Sequence, residues 1–293
     1  MKILLLSAFI AASINLSFSK TIHKEQSLYR NIIVTKNGQK LCMKFSLRRD
    51  RKQNQSCKML DNPDFLVFDY AKLAVAGFLM ADKPKNILVI GLGGGTLIES
   101  FNSLEPDSII TSVEIDPAVV KVAKQYFHLP VEPWHNIIEK DGRIFIKREK
   151  IRGAKYDLIV LDAFNGDYIP EHLMTLEFFK EVKSILSNDG LVVSNTFSSS
   201  ILYDYESSTY HKAFGGFYQL KGKFSGNRVI VTGNKKLPSK EEFKRITLKY
   251  KSFIEVMDIK PEYLWRALEV NPVWNKNSPV LTDDFAPVNI LKH

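Results

Sequence analysis

The stretch NILVIGLGGGTLIES, residues 86–100, runs an apolar, strand-like segment straight into four glycines packed within five positions. Glycine at such density means that backbone comes close to something, because only glycine offers both a free choice of φ and no Cβ. A strand that ends in a glycine turn and resumes as a helix presents unbonded helix N–H groups to a ligand. Gly91, Gly93 and Gly95 are the candidate contacts. Glu114 ends the next apolar run, IITSVEI (109–115), about 20 residues on, where a carboxylate can accept both hydroxyls of an adenosine ribose. At this point the ligand is either a dinucleotide or an adenosyl sulfonium nucleoside.

Outward from the turn, strands and helices alternate. DFLVFDYAKLAVAGFLMA (64–81) has helical spacing and stops before Pro84; NILVIG (86–91) reads as a buried strand followed by a helix to about Leu104. PAVVKVAKQYF (117–127) is a helix with proline in its first turn, NIIEK (136–140) a third strand, and a further helix starts near Gly142. YDLIVLDAF (156–164) is a fourth strand, LEFFKEVKSILS (176–187) a helix stopped by NDG, and GLVVSNTF (190–197) a fifth strand. FGGFYQLKG and NRVIVTG read as a closing hairpin pair. The pattern predicts an α/β fold with a mostly parallel sheet and helices on both faces, whose ligand sits at the carboxyl ends of the strands. Before it, SLYRNIIVTKNGQKLCMKFS (27–46) alternates and breaks at Asn37-Gly38, a hairpin signal. The predicted organisation is a leader over 1–19, an N-terminal β region over 20–62, a Rossmann-like domain over 63–236, and an extension over 237–293 with one good helix and an irregular tail.

Two more acids decide between the ligands. Asp141 in EKDGR ends the third strand, where a carboxylate can meet the exocyclic amine of adenine, and Asp162 ends the fourth, in mid-cleft. Acids at the ends of strands two, three and four suit a cationic sulfonium nucleoside better than an anionic pyrophosphate. Asp116 and Asp141 also read as helix caps, whereas an acid closing a buried apolar strand needs a partner.

VIGLGGGTLIES, VEIDPAVVKVAKQYF, DGRIFI, YDLIVLDAF and IPEHLMTLEFFKEVKSIL together resemble the spermidine synthase (polyamine aminopropyltransferase) family, over roughly residues 25 to 235. The likeness is greatest to its divergent branch, found also fused to membrane transporter domains, and LTDDFAPV near the C-terminus resembles that branch too. The resemblance implies a β-stranded N-terminal domain ahead of a class I methyltransferase-like Rossmann domain. It implies decarboxylated S-adenosylmethionine as co-substrate, a small-molecule amine such as putrescine as acceptor, and a homodimer or tetramer. By the same resemblance Gly91, Gly93 and Glu114 hold the ribose and the methionine-derived part, Asp141 and Gly142 hold adenine, Asp162 is the catalytic aspartate, and Tyr70 orients the acceptor. The chemistry is sound: an amine is mostly protonated at neutral pH, and a carboxylate can bind the cation, take its proton and aim the lone pair.

The chain departs from the family at Gly94, where an aspartate grips the amine of the decarboxylated nucleoside, at Asn165, where a second aspartate stands, and at Ala71, where a polar residue stands. Asp167, Glu171, Asp283 and Asp284 are candidate substitutes, with Asn165, Asp167 and Glu171 placed at the acceptor. Loss of the gripping aspartate also relieves repulsion of ordinary S-adenosylmethionine, so a methyltransferase acting on a small molecule remains an alternative. The N/D-P-P-Y/F signature of nucleic-acid amino methylases is absent after the fourth strand.

The remaining features concern context. MKILLLSAFIAASINLSFSK has an early lysine, an apolar run from Ile3 to Phe18 and small residues at Ser17 and Ser19, the layout of a secretory leader cleaved after Ser19. The run is short for a membrane span, so an exported, periplasmic or secreted protein without a stable membrane span is expected; a buried N-terminal element with a cytoplasmic chain is the alternative. An exported, non-catalytic nucleoside- or polyamine-binding protein is therefore a third functional reading. Hydrophobic content of 45% and charged content of 25% exclude a disordered chain. The net charge of +9 comes from scattered residues, dense only at RRDRK (48–52) and around 235–245, so no nucleic-acid partner is expected. Cys42 and Cys57 can pair in an oxidising compartment or remain buried thiols. No His/Cys spacing suits a metal, and none is expected; His128, His135 and His172 read as surface or supporting residues.

Overall fold

The computed structural model describes residues 19–46, 53–164, 168–199, 201–222 and 226–287; all of the leader but its last residue, and the RRDRK run, lie outside them. The N-terminal region is an antiparallel meander of β1 (Lys20–Gln26), β2 (Asn31–Asn37), β3 (Lys40–Ser46) and β4 (Gln53–Met59), with the Asn37-Gly38 turn joining β2 to β3. Gly38 has φ of 57°, the left-handed geometry that tight hairpins need. One face of this meander, Ile32, Val34, Leu41, Met43 and Phe45, packs on Val119, Val122 and Phe127 of the following domain. Cys42 and Cys57 stand opposite each other on β3 and β4 and are joined as a disulfide, with Cα atoms 4.1 Å apart.

The second domain runs α1 (Asp69–Ala81), β5 (Asn86–Ile90), α2 (Thr96–Leu104), β6 (Ile109–Glu114), α3 (Pro117–Tyr126), β7 (His135–Glu139), α4 (Gly142–Arg152), β8 (Tyr156–Leu161), α5 (Leu176–Ser184), β9 (Leu186–Phe197), α6 (Leu202–Phe214), β10 (Tyr218–Lys221) and β11 (Asn227–Gly233). The extension adds α7 (Lys240–Lys249), α8 (Lys251–Val256), α9 (Pro261–Ala267) and the two-residue β12 (Leu268–Glu269). The sheet order is β12-β10-β11-β9-β8-β5-β6-β7, parallel from β9 to β7 and antiparallel beyond β9. The central strands are buried on both faces, so they read as continuous apolar runs: Ile87, Leu88, Val89 and Ile90 are all at most 2% exposed. Each such side chain contributes about 1.5–3 kcal/mol relative to leaving it in water.

Chain order reverses between β5 and β8, which opens a crevice at their carboxyl ends. Gly91 follows β5 there and Asp162 follows β8.

Three sequence expectations are corrected. The helix over 176–187 stops at Ser184, because Leu186 already pairs with Tyr156; the NDG that reads as a helix stop is an irregularity inside a strand that resumes at Leu191 opposite Leu158. The thirteen-residue α6, unread in the sequence, precedes the closing hairpin. The extension carries three helices rather than one, with Phe243, Ile254 and Leu264 packed on the α1 side of the core. Among the described residues no helix is long and apolar enough to cross a membrane.

Candidate active site

A cavity of about 590 Å³ lies at the crevice, walled by the glycine turn, the ends of β6, β7, β8 and β9, and the N-terminal meander. The glycine turn is shaped by close approach. Gly91 has φ of 100°, and a Cβ there would stand 2.3 Å from the Asp162 carbonyl oxygen. The Asp162 N–H donates to the Ile90 carbonyl at 2.8 Å, so the glycine turn and the loop after β8 are locked together. Gly93 also lines the cavity, with φ of 53°. Gly95 does not: it starts α2 with φ of 84° and packs against Leu129, where a Cβ would come within 2.3 Å. Its missing Cβ leaves room for Leu129.

Glu114, 7% exposed, turns back over the glycine loop. Its carboxylate accepts the Leu92 N–H at 3.2 Å and the Asp116 N–H at 3.1 Å, which leaves lone pairs facing the cavity. Burial raises its carboxyl above the ordinary carboxylate value, while the Arg30 guanidinium and those two N–H groups oppose the rise. Asp116 is the cap of α3, accepting the Ala118 N–H at 3.0 Å.

Asp141 lines the cavity and caps α4 at once. Its Oδ1 accepts the Ile144 N–H at 2.9 Å, and its Oδ2 meets His172 Nε2 at 2.9 Å. The His172 imidazole holds the carboxyl below its ordinary value. Gly142 starts α4 under Ile90, whose Cγ2 would lie 2.5 Å from a Cβ. This corner is braced from the C-terminal segment: Arg143 forms paired bonds to Asp283 at 2.7 Å and to Glu181 at 2.8 and 3.0 Å, and Asp283 accepts the Thr175 hydroxyl at 2.7 Å.

Asp162 sits at the centre. Its Oδ1 accepts the Asn195 side-chain amide at 2.8 Å, and the Tyr70 hydroxyl interacts electrostatically with the same carboxyl. Asn227 donates to Asn195 Oδ1 at 3.0 Å, which fixes which way the Asn195 amide points. Burial pushes the Asp162 carboxyl up to about 7, against the Asn195 amide and the Tyr70 hydroxyl and helped by the Glu114 charge. Burial likewise holds the Tyr70 phenol well above its ordinary value, so it stays a donor. A carboxyl poised near neutrality beside an open cavity is suited to proton abstraction. Phe68, Phe164 and Phe197 complete this end with apolar walls.

The cavity therefore brings together Tyr70, Gly91, Gly93, Glu114, Asp141, Gly142 and Asp162. Asn165 and Asp167 lie outside the described residues. Glu171 does not line the cavity: it begins a single 3-10 turn over Glu171–Leu173 that presents Pro170, His172 and Leu173 there instead. Asp283 is held by Arg143, and Asp284 is likewise not among the lining residues. The sequence reading missed Asn195, Asn227 and Arg30. Asn195 left a faint signal, a polar amide inside the apolar run GLVVSNTF next to the strand that carries Asp162.

The model of the spermine/spermidine synthase domain matches residues 69–221, and a polyamine aminopropyltransferase of Vibrio vulnificus is 41% identical over 278 residues, 94% of this chain and 92% of that protein. The chain belongs to the spermine/spermidine synthase family. Family resemblance extends to solved structures at the level of fold. A probable spermidine synthase from Corynebacterium glutamicum superposes with a TM-score of 0.66 at 20% identity, over 77% of this chain and 86% of that one. A spermidine synthase solved with a transition-state analogue superposes with a TM-score of 0.65 at 16% identity, over 86% and 85%. More partial likeness reaches methyltransferases: an N-terminal histidine N-methyltransferase of Emericella nidulans is 40% identical over 129 residues, 43% of this chain and 22% of that protein.

Proposed function

We propose a catalytic assignment for this polyamine aminopropyltransferase in which Asp162 is the base and decarboxylated S-adenosylmethionine, the family's donor, gives its aminopropyl group to an amine. The observation that carries it is the convergence of Glu114, Asp141 and Asp162 on one cavity beside the glycine turn. Glu114 accepts the ribose hydroxyls, and Asp141 with Gly142 receives adenine. The Asp162 carboxylate binds the acceptor's ammonium and takes one proton. The freed amine nitrogen attacks the methylene next to the sulfonium; a C–N bond forms as the C–S bond breaks, and its electron pair goes to sulfur. The leaving thioether is neutral and needs no acid. Tyr70 and Asn195 hold the base in line, and orientation of this kind is worth several kcal/mol. The aromatic walls around Asp162 suit the methylene chain of a polyamine.

The donor's tail has one feature that favours a second reading. The side of the turn at Gly94 is closed: a Cβ there would stand 2.7 Å from both Phe127 Cδ1 and Ser56 Oγ. Instead of a carboxylate, β4 offers Asn54, Gln55 and Ser56 to the cavity. A neutral reception for the tail also suits ordinary S-adenosylmethionine, the methyltransferase alternative. Calorimetry with both nucleosides, alongside mass-spectrometric detection of the aminopropylated acceptor, separates the two. Preference for the carboxylated form without aminopropylated product defeats the aminopropyl assignment.

Export to an oxidising compartment is the localisation this reading favours, supported by the leader pattern and by the Cys42–Cys57 disulfide. N-terminal sequencing of the mature chain tests it, an intact Met1 counting against it. A homodimer follows from family resemblance and is read by light scattering.

A further inference from the structure

Arg30 is the one cavity-lining cation that is also nine-tenths buried among the described residues, at 8% exposed. It sits at the end of the β1–β2 turn, where Ser27 Oγ accepts its N–H at 3.0 Å and donates to Asp116 at 2.6 Å. Its guanidinium lies 4.5 Å above the Phe45 ring, and Nη1 donates to the Phe164 carbonyl at 3.2 Å, two residues past Asp162. Nε stands 3.6 Å from Asp116 Oδ2, beyond hydrogen-bond reach, and has no other partner. Arg30 is thus ion-paired with a fully buried carboxylate while one of its buried N–H groups stays without a hydrogen bond, a costly arrangement.

Its charge acts on what surrounds it. Glu114 and Asp116 are two residues apart, 7% and 0% exposed, and Asp162 adds its own charge to the same neighbourhood. The Asp116 charge makes a negative charge on Glu114 costlier, and a cation offsets that cost. The charged groups facing Glu114 are Arg30, Asp116 and Asp162; Lys140 and Asp141 stand at the neighbouring strand end. Arg30 is the opposite charge that acts on Glu114 from this set.

We propose that Arg30 is a positioning residue of the transfer reaction: its guanidinium keeps Glu114 the anion that receives the donor's sugar, and ties that acid to the Phe164 carbonyl of the catalytic loop. The inference rests on the nucleoside reading of the cavity. It also gives the N-terminal meander a part in donor binding that its packing on α3 alone would not need.

The test is calorimetric titration with 5′-methylthioadenosine, which carries the sugar and adenine but no charged tail, from about pH 5 to about pH 9. It compares the full chain with Arg30→Gln, Arg30→Met and Arg30→Lys. Affinity should fall on the acid side as Glu114 takes a proton. In Arg30→Gln and Arg30→Met that fall should move up by at least about one pH unit, tenfold in proton affinity, with affinities converging on the native value at alkaline pH. Arg30→Lys should restore the native profile. Arg30→Gln keeps a donor for Phe164 and serves if Arg30→Met does not fold. Uniform weakening across pH marks a strut between domains and overturns the proposal, as does an unchanged profile. The Glu114 carboxyl resonance, assigned by its absence in Glu114→Gln, reads the same effect without nucleoside. An unmoved midpoint in Arg30→Gln refutes the role of Arg30, whereas absence of nucleoside binding at any pH by the native chain refutes the cavity reading itself.

Discussion

Replacing Asp162 by asparagine separates what this carboxyl costs the fold from what it gives the reaction. Burial pushes the native carboxyl up to about 7 from an ordinary 3.8, equivalent to about 4 kcal/mol. Because the folded form holds the proton more tightly, stability is full below about pH 4, declines as pH rises through about 7, and stays reduced above that. Asparagine keeps the shape and can still accept from Asn195, but never ionises. Asp162→Asn should therefore match the native chain near pH 4 and exceed it at alkaline pH by about 1–3 kcal/mol, the ~4 kcal/mol figure being trimmed by solvent in the open cavity. For a chain of this size that is a rise in Tm of roughly 2–6 °C. Thermal unfolding across pH reads it directly. Turnover should fall by about two to four orders of magnitude while nucleoside affinity changes only a few fold. A stability difference independent of pH, or a less stable variant at alkaline pH, refutes the buried-base argument; undiminished turnover removes Asp162 from the mechanism.

Three further outcomes follow from neighbouring contacts. Tyr70→Phe removes a hydroxyl that favours the Asp162 anion, so the acid limb of kcat/KM should move to higher pH and the rate fall about ten- to a hundredfold; an unmoved limb in the pH–rate profile counts against it. Gly91→Ala forces a Cβ to 2.3 Å from the Asp162 carbonyl at a φ of 100°, which should cost at least about 2 kcal/mol and the activity with it; a variant with native denaturation midpoint and full rate contradicts the geometry. Replacing both Cys42 and Cys57 by serine opens a cross-link with a sequence separation of 15 and should cost about 3 kcal/mol. Urea midpoints with and without reductant check this, and the native chain under reductant should follow the variant.

The parallel sheet and its acids were legible because both are local signals. Buried parallel strands are unbroken apolar runs, and Glu114, Asp141 and Asp162 stand where those runs end. Arg30 was not legible, since its partner Phe164 lies 134 residues away and its meaning depends on two carboxylates that only the fold brings beside it. Asn195 has the same character: its role comes from β9 lying beside β8, and its orientation from Asn227 on β11. Gly95 stands off the cavity wall against Leu129, because a glycine that admits a ligand and one that admits a side chain look alike in sequence. The NDG after α5 was misread because a helix stop and an irregularity within a strand use the same turn-forming residues, and only the pairing of Leu186 with Tyr156 tells them apart.

The bracing of Arg143 by Asp283 reaches across 140 positions of chain. During synthesis, the Asp141–Arg143 corner is made long before Asp283, one of the two carboxylates that steady it, leaves the ribosome. A polypeptide interrupted before Thr282 would carry every residue that lines the cavity and still lack that second carboxylate. Such a product should hold this corner of the cavity less firmly, with Glu181 alone of the two carboxylates left on Arg143.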